Sequence, residues 1–237
     1  MAKHSGFWVR LRRAFLFLIV GWLVVSIAVV LLFRWVDPPS SAFMIEDRMT
    51  ARFDGESSYK FRHAWLPWSQ ISPHAKLAVI CSEDQKFPEH HGFDLQSIDD
   101  AVRKHERGGR LRGASTISQQ TAKNLFLWSG PSWIRKGFEV YFTLLIEALW
   151  SKERILEIYL NIAEFGRGLF GIGAASTTLF HKPAARLTAY ESALLAAALP
   201  SPRRLHPEAP SRYLQQRAGW IVEQMQRLGG ASYLDQL

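Results

Sequence analysis

The sequence has 237 residues, with 29 lysines and arginines against 21 aspartates and glutamates, a formal charge of +8. Lys3, Arg10, Arg12 and Arg13 supply half of that excess, so the rest of the chain is only mildly basic. With no concentrated basic face and no short nucleic-acid motif, nucleic acid is excluded as a partner. A lone cysteine, Cys81, excludes an internal disulfide framework. Behind Ala78-Val79-Ile80 it reads as a small buried apolar residue, not a reactive thiol.

Taken in chain order, residues 1–13 form a basic N-terminus without acidic residues, and residues 14–33 a charge-free apolar stretch. About 20 residues at ~1.5 Å each span about 30 Å of hydrocarbon, so the stretch reads as a transmembrane helix. A cleaved signal peptide is the rival reading, but its apolar core runs only about 7–15 residues, and Ser40-Ser41-Ala42 is a poor cleavage site. The basic cluster before the span, against a single Arg34 after it, orients the N-terminus to the cytoplasm and the rest of the chain outward. In a Gram-negative host this gives a single-pass protein of the cell inner membrane with a periplasmic domain. Asp37-Pro38-Pro39-Ser40-Ser41 makes a stiff exit within a linker and juxtamembrane segment, 34–60, and a single folded domain, 61–237, follows.

That domain reads as mainly α, with no internal repeat and no sustained strand alternation. Trp65, Leu66, Trp68 and Ile71 fit either buried packing or contact with lipid. Asp94 can cap a helix carrying Leu95, Ile98, Ala101 and Val102 on one face, ending at Gly108-Gly109, with Arg107 to Arg112 as a mobile loop. Thr116 and Gln119 make a capping box that opens a helix through Leu125, with Gln120, Lys123 and Asn124 along it. Amphipathic helices follow over Ile134–Trp150 and Ser151–Ile162. Thr188 and Glu191 cap an Ala/Leu-rich core helix that Pro200 and Pro202 terminate.

Chemistry-bearing residues fall into clusters. Glu83 to Asp94 packs acids, His90, His91 and a glycine turn behind an apolar run; on composition alone it is a solvated helix end. Adjacent histidines lack the i,i+4 spacing of a helical zinc site. Arg135 and Lys136 lie four and three residues before Glu139, by default a surface ion pair. Lys152, Glu157, Tyr159 and Asn161 read as the polar side of a helix whose apolar side is Ile155, Ile158 and Ile162.

Together, in this order, the clusters resemble the glycosyltransferase domain that polymerises peptidoglycan, in its monofunctional biosynthetic transglycosylase form, related to class A penicillin-binding proteins. The pattern Glu-Asp-x-x-Phe-x-x-His-x-Gly-x-Asp is met at Glu83, Asp84, Phe87, His90, Gly92 and Asp94. A second falls on Gly113, Ser115, Thr116, Ile117, Gln119, Gln120, Lys123 and Asn124, a third on Arg135, Lys136 and Glu139, and a fourth on Lys152, Ile155, Glu157, Tyr159, Leu160 and Asn161. The likeness runs from about Ile71 to Pro207, and four ordered motifs behind an outward-facing anchor are specific. It departs at Gly173, Leu179 and His181, where relatives commonly have Glu, Tyr and Gly, which bears on local helix packing.

The resemblance implies a lysozyme-like α-helical domain that joins a growing glycan, held on undecaprenyl pyrophosphate, to the 4-hydroxyl of an incoming lipid II, with inversion. It implies Glu83 as general base and Glu139 as second catalytic carboxylate. Lys123, Arg135 and Lys136 would neutralise the pyrophosphate, with a divalent ion such as Mg²⁺ assisting and Glu139 as its candidate ligand. Asp84, His90, Ser115, Thr116, Gln119, Gln120, Asn124, Lys152, Glu157 and Asn161 would contact substrate, Glu157 also holding the neighbouring helix. Partners in cell-wall synthesis are allowed by the same likeness. Two rivals stand beside this reading. A lysozyme-like hydrolase needs a carboxylic acid of raised pKa, whereas Glu139 beside two cations should stay charged. A membrane-tethered scaffold has only the anchor and the aromatic patch in its favour.

Overall fold

The computed structural model describes residues 3–96, 99, 103 and 115–237, with side chains from residue 8 onward. Most of the helix expected after Asp94, the loop Arg107 to Arg112, and Gly113 lie outside the described residues. The chain divides into two compact units, Met1–Pro38 and Pro39–Leu237.

The first unit is one helix, α1 (Lys3–Phe33), which begins before the apolar stretch and carries Arg10, Arg12 and Arg13 within it. Trp8–Phe33, 26 residues, is long and apolar enough to cross a membrane.

The second unit begins at Pro39, not at 61. Residues expected as linker hold a helix, α2 (Ala42–Phe53), whose Ser41 N-cap accepts the Met44 N–H at 3.2 Å. Buried Asp47 fastens α2 to the domain: it accepts from the Tyr59 hydroxyl at 2.8 Å, Arg167 at 2.6 Å and Arg203 at 2.8 Å. Hydropathy does not show this tether, because two of its three partners, Arg167 and Arg203, come from more than 100 positions downstream.

The rest is helical: α3 (Pro73–Glu83), α4 (Ile117–Phe126), α5 (Trp133–Leu149), α6 (Lys152–Ile162), α7 (Ile172–Phe180), α8 (Ala189–Ala198) and α9 (Arg212–Arg227). The capping boxes expected at Thr116/Gln119 and Thr188/Glu191 are both formed. Buried on every side from Ala75 to Cys81, α3 packs against α8 and α9, while α4 packs against α5 and α6. Burial pushes the Cys81 thiol up to about 12, which keeps it protonated and inert. Three short strands, β1 (Arg62–His63), β2 (Glu164–Gly166) and β3 (Leu169–Phe170), form a sheet of order β1-β3-β2, with β1 parallel and β2 antiparallel to β3. Strands of two or three residues are too short to leave an alternation in sequence.

The aromatic segment resolves toward packing. Ile71 is buried, the Lys76 ammonium sits 3.7 Å over the Trp68 ring, and Arg154 lies over Trp65. Gly173 makes room for this segment: a Cβ there would lie 2.8 Å from the Ala64 carbonyl. His181 ends α7 in the left-handed conformation at φ 55°, the helix-end position that glycine fills most easily.

Candidate active site

The site forms where the end of α3 meets the start of α4. The residue after Glu83 in the chain, Asp84, accepts the Ile117 N–H at 3.0 Å, occupying one of the orphan donors that open α4. His90 Nε2 lies 2.9 Å from both Asp84 oxygens, while His90 Nδ1 accepts the Gly92 N–H at 3.1 Å, so the ring proton belongs on Nε2. The Thr116 hydroxyl donates to the Gly92 carbonyl at 2.7 Å and accepts the Gln119 N–H. Lys152 donates to the His90 carbonyl at 2.5 Å and to Glu147 at 2.8 Å, above the Phe87 ring. Asp84, His90, Thr116, Gln119 and Lys152 therefore spend their polar atoms holding the first two motifs together.

Glu83 is left facing an open cavity of about 750 Å³, lined also by Ser82, Ser115, Gln120, Arg204, Tyr213 and Arg217. One carboxylate oxygen accepts from Gln120 Nε2 at 2.9 Å and the other from the Ser82 hydroxyl at 3.2 Å. Gln120 is itself oriented: its Oε1 accepts the Tyr159 hydroxyl at 3.1 Å, which leaves its NH₂ for Glu83. Burial, reinforced by the Glu83 charge, pushes the Tyr159 phenol well above its ordinary value, so it remains a donor. Glu83 is thereby held as an acceptor at the cavity wall.

One turn beyond Gln120 on α4, Lys123 is close enough to feel both Glu83 and Glu139. Burial holds its ammonium below the usual lysine range, with Arg135 and Lys136 adding to the effect and the two glutamates opposing it. Its Nζ lies 5.5 Å from the Phe43 ring centroid. Beside it, Asn124 Oδ1 is buried with no hydrogen-bond partner among the described residues. Glu139, 4% exposed, accepts from Arg135 at 2.7 Å and Lys136 at 2.5 Å, one cation on each oxygen. The ion pair that spacing alone placed at the surface is a buried anchor for two cations.

This arrangement bears on the divalent ion expected at Glu139. With both oxygens of Glu139 engaged and three cations around it, a divalent ion there would meet net positive charge and no free ligand. Among the described residues no group of three or more His, Cys, Asp or Glu converges elsewhere. The described residues around Glu139 do not fit a resident Mg²⁺.

Glu157 and Asn161, expected at the substrate, are engaged with neighbouring backbone and Arg154. Glu157 accepts the Trp68 N–H at 2.6 Å and pairs with Arg154. Asn161 accepts the Leu66 N–H at 2.8 Å and donates to the Leu66 carbonyl at 2.9 Å. Both belong to the wall that carries the 61–72 segment. Asn161→Ala is expected to lower stability by about 2–3 kcal/mol, a melting point about 5–10 °C lower, because two backbone groups lose their partner. KM should not change; thermal unfolding beside substrate titration reads both, and a raised KM with unaltered melting would return Asn161 to the substrate.

Sequence reasoning passed over Ser82, Arg204, Tyr213 and Arg217, which carry no motif signal: Ser82 adjoins Glu83 in the chain, while Arg204 on the turn after α8 and Tyr213 and Arg217, four apart on α9, reach the cavity only through the fold. It also passed over Glu147, which holds Ser118 and Lys152.

Comparison with known proteins adds an independent line. The family profile described as Transglycosylase matches residues 48–226. The chain is 54% identical over 228 residues to a biosynthetic peptidoglycan transglycosylase of Pseudomonas entomophila, covering 96% of this chain and 94% of that protein. It is 53% identical over 237 residues to the protein of that description from Cronobacter sakazakii, covering 100% and 98%. A third, from Pseudomonas syringae pv. tomato, is 50% identical over 228 residues, covering 96% and 94%.

Proposed function

Since this chain belongs to the transglycosylase family, and so is a peptidoglycan glycosyltransferase, we propose that it polymerises lipid II with Glu83 as the base. The observation that carries this reading is a carboxylate at the cavity wall held only by donors, with Lys123, one turn beyond Gln120 on α4, close enough to feel its charge and that of Arg135 and Lys136.

The acceptor's 4-hydroxyl lies against Glu83, which takes its proton as the oxygen attacks the anomeric carbon of the growing chain from the face opposite the leaving group, giving inversion. The C–O bond to undecaprenyl pyrophosphate breaks, and that group departs with the electron pair. Pyrophosphate needs charge neutralisation more than protonation; Lys123, Arg135 and Lys136 supply it. Glu139 is a positioning residue that keeps Arg135 and Lys136 at the phosphate. Its two oxygens accept from cations, whereas a hydrolase would need a carboxylic acid aimed at a sugar oxygen, so the geometry supports transfer over hydrolysis.

The apolar helix α1 is read as a retained anchor, N-terminus cytoplasmic and domain periplasmic, supported by the basic residues before the span. Trp133 and Ile134, 92% and 71% exposed and next to Arg135, suit contact with the acyl region that holds the substrate's polyprenyl chain.

The test supplies the detergent-solubilised full chain with fluorescent lipid II. Long, muramidase-sensitive glycan is expected; cutting of preformed glycan without any polymer would transfer the case to a hydrolase.

A further inference from the structure

Ser82 has one proton and two acceptors. Its hydroxyl lies 3.2 Å from Glu83 Oε1 and 3.3 Å from the Ala196 carbonyl on α8, and it accepts from Arg217 Nη2, on α9, at 3.3 Å. Arginine only donates, so Ser82 Oγ must be the acceptor of that contact, and its own hydrogen goes either to Glu83 or to Ala196. Arg217 Nε is buried with no partner among the described residues, so the guanidinium meets little else that fixes it. We propose that Ser82 and Arg217 are positioning residues for the base: Arg217 orients the Ser82 hydroxyl, and the hydroxyl holds Glu83 Oε1 while that carboxylate is charged.

This inference rests on Glu83 being the base. Before the reaction, Ser82 donates to Oε1 and Gln120 to Oε2, so both oxygens are fixed toward the cavity. When Glu83 receives the acceptor's proton, it no longer needs two donors, and the Ser82 hydrogen can turn to Ala196. No bond to carbon forms or breaks at Ser82; it changes only its hydrogen-bond acceptor. Among the described residues, the charged or titratable groups that interact with Glu83 or share a cavity with it are Lys123 on α4, Tyr159 on α6, Tyr213 and Arg217 on α9, Arg204 on the turn after α8, and Asp84, Lys86 and Asp94 beyond it in the chain. Asp84 is taken up by His90 and the Ile117 N–H, and Tyr159 stays neutral, so the hydrogen bond from Ser82 is the adjustable one.

The experiment is the pH dependence of kcat/KM for polymerisation of lipid II by the detergent-solubilised full chain, which reports the free enzyme's essential base. A donor to the charged carboxylate favours the charged form, so removing it raises the pH at which the base is lost. Ser82→Ala is expected to move the acidic limb up by about 0.5–1 pH unit. Ser82→Thr, which keeps a hydroxyl, should return it. Arg217→Ala should move the limb the same way by less, and in a Ser82→Ala background it should add nothing, because its effect passes through that hydroxyl.

An acidic limb unmoved by Ser82→Ala, whatever the rate, overturns the inference, as does a shift that Ser82→Thr fails to reverse. Additive shifts from the two positions would remove the route through Ser82. Glu83→Gln separates the two levels: if it is inactive while Ser82→Ala leaves the limb in place, only this inference fails; if it polymerises normally, the assignment of the base fails with it.

Discussion

Glu83→Gln is expected to lower polymerisation by about 10²–10⁴-fold, the usual contribution of a positioned general base. The change removes the proton acceptor and almost nothing else. The side chain faces an open cavity, and one of its two neighbours, Gln120 or Ser82, can still donate to the amide oxygen. The amide NH₂ faces one donor that it cannot accept from, so the melting point should fall by no more than a few degrees, a penalty of about 1 kcal/mol. Muramidase-sensitive polymer from the purified variant, measured with its thermal unfolding, decides the matter: a folded variant within a few-fold of the parent would remove Glu83 from the chemistry.

Lys123→Met should do two things that rarely go together: sharply lower synthesis and stabilise the empty domain. Burial holds the Lys123 ammonium below its ordinary value of 10.5, so folding disfavours the charge that the side chain carries at neutral pH. The sign follows from linkage. Between the depressed folded value and the ordinary one, the unfolded chain binds more protons than the native state, and stability rises with pH through that window. Below that window the full penalty is present. An apolar side chain of similar length removes it, and a melting point higher by about 2–4 °C, roughly 1 kcal/mol, is expected, with the alkaline rise in stability diminished. Activity should fall about 10²–10³-fold, the scale for deleting one preorganised electrostatic contact to developing charge. On the proposed mechanism the pyrophosphate offsets the buried charge; a destabilised but active variant would show that Lys123 serves the fold and not the leaving group.

Much of this was legible in the amino-acid order because it is local. An apolar run of membrane length, the Thr116/Gln119 and Thr188/Glu191 capping boxes, and the termination of α8 before Pro200 each depend on residues within a turn of one another. The order of four motifs, beginning at Glu83, likewise pointed to the family. Within each motif, however, sequence could not separate the residues that face substrate from those that hold the motif in shape. Asp84, His90, Thr116, Gln119 and Lys152 sit among the chemistry-bearing residues and are consumed by one another. Asn161 and Glu157 are consumed by the backbone of Leu66 and Trp68, 95 and 89 positions away.

The sequence by itself determined what is set by near neighbours: the apolar span, the helical class, the caps and the family pattern. Only the tertiary structure decided which carboxylate stays at the cavity wall and which is buried under two cations. It also decided that α2 is part of the domain and that Arg217 reaches Ser82. The reason is that burial and hydrogen-bond partners are properties of packing: Arg217 and Ser82 lie 135 positions apart, and nothing in their local spacing encodes that α9 lies against α3.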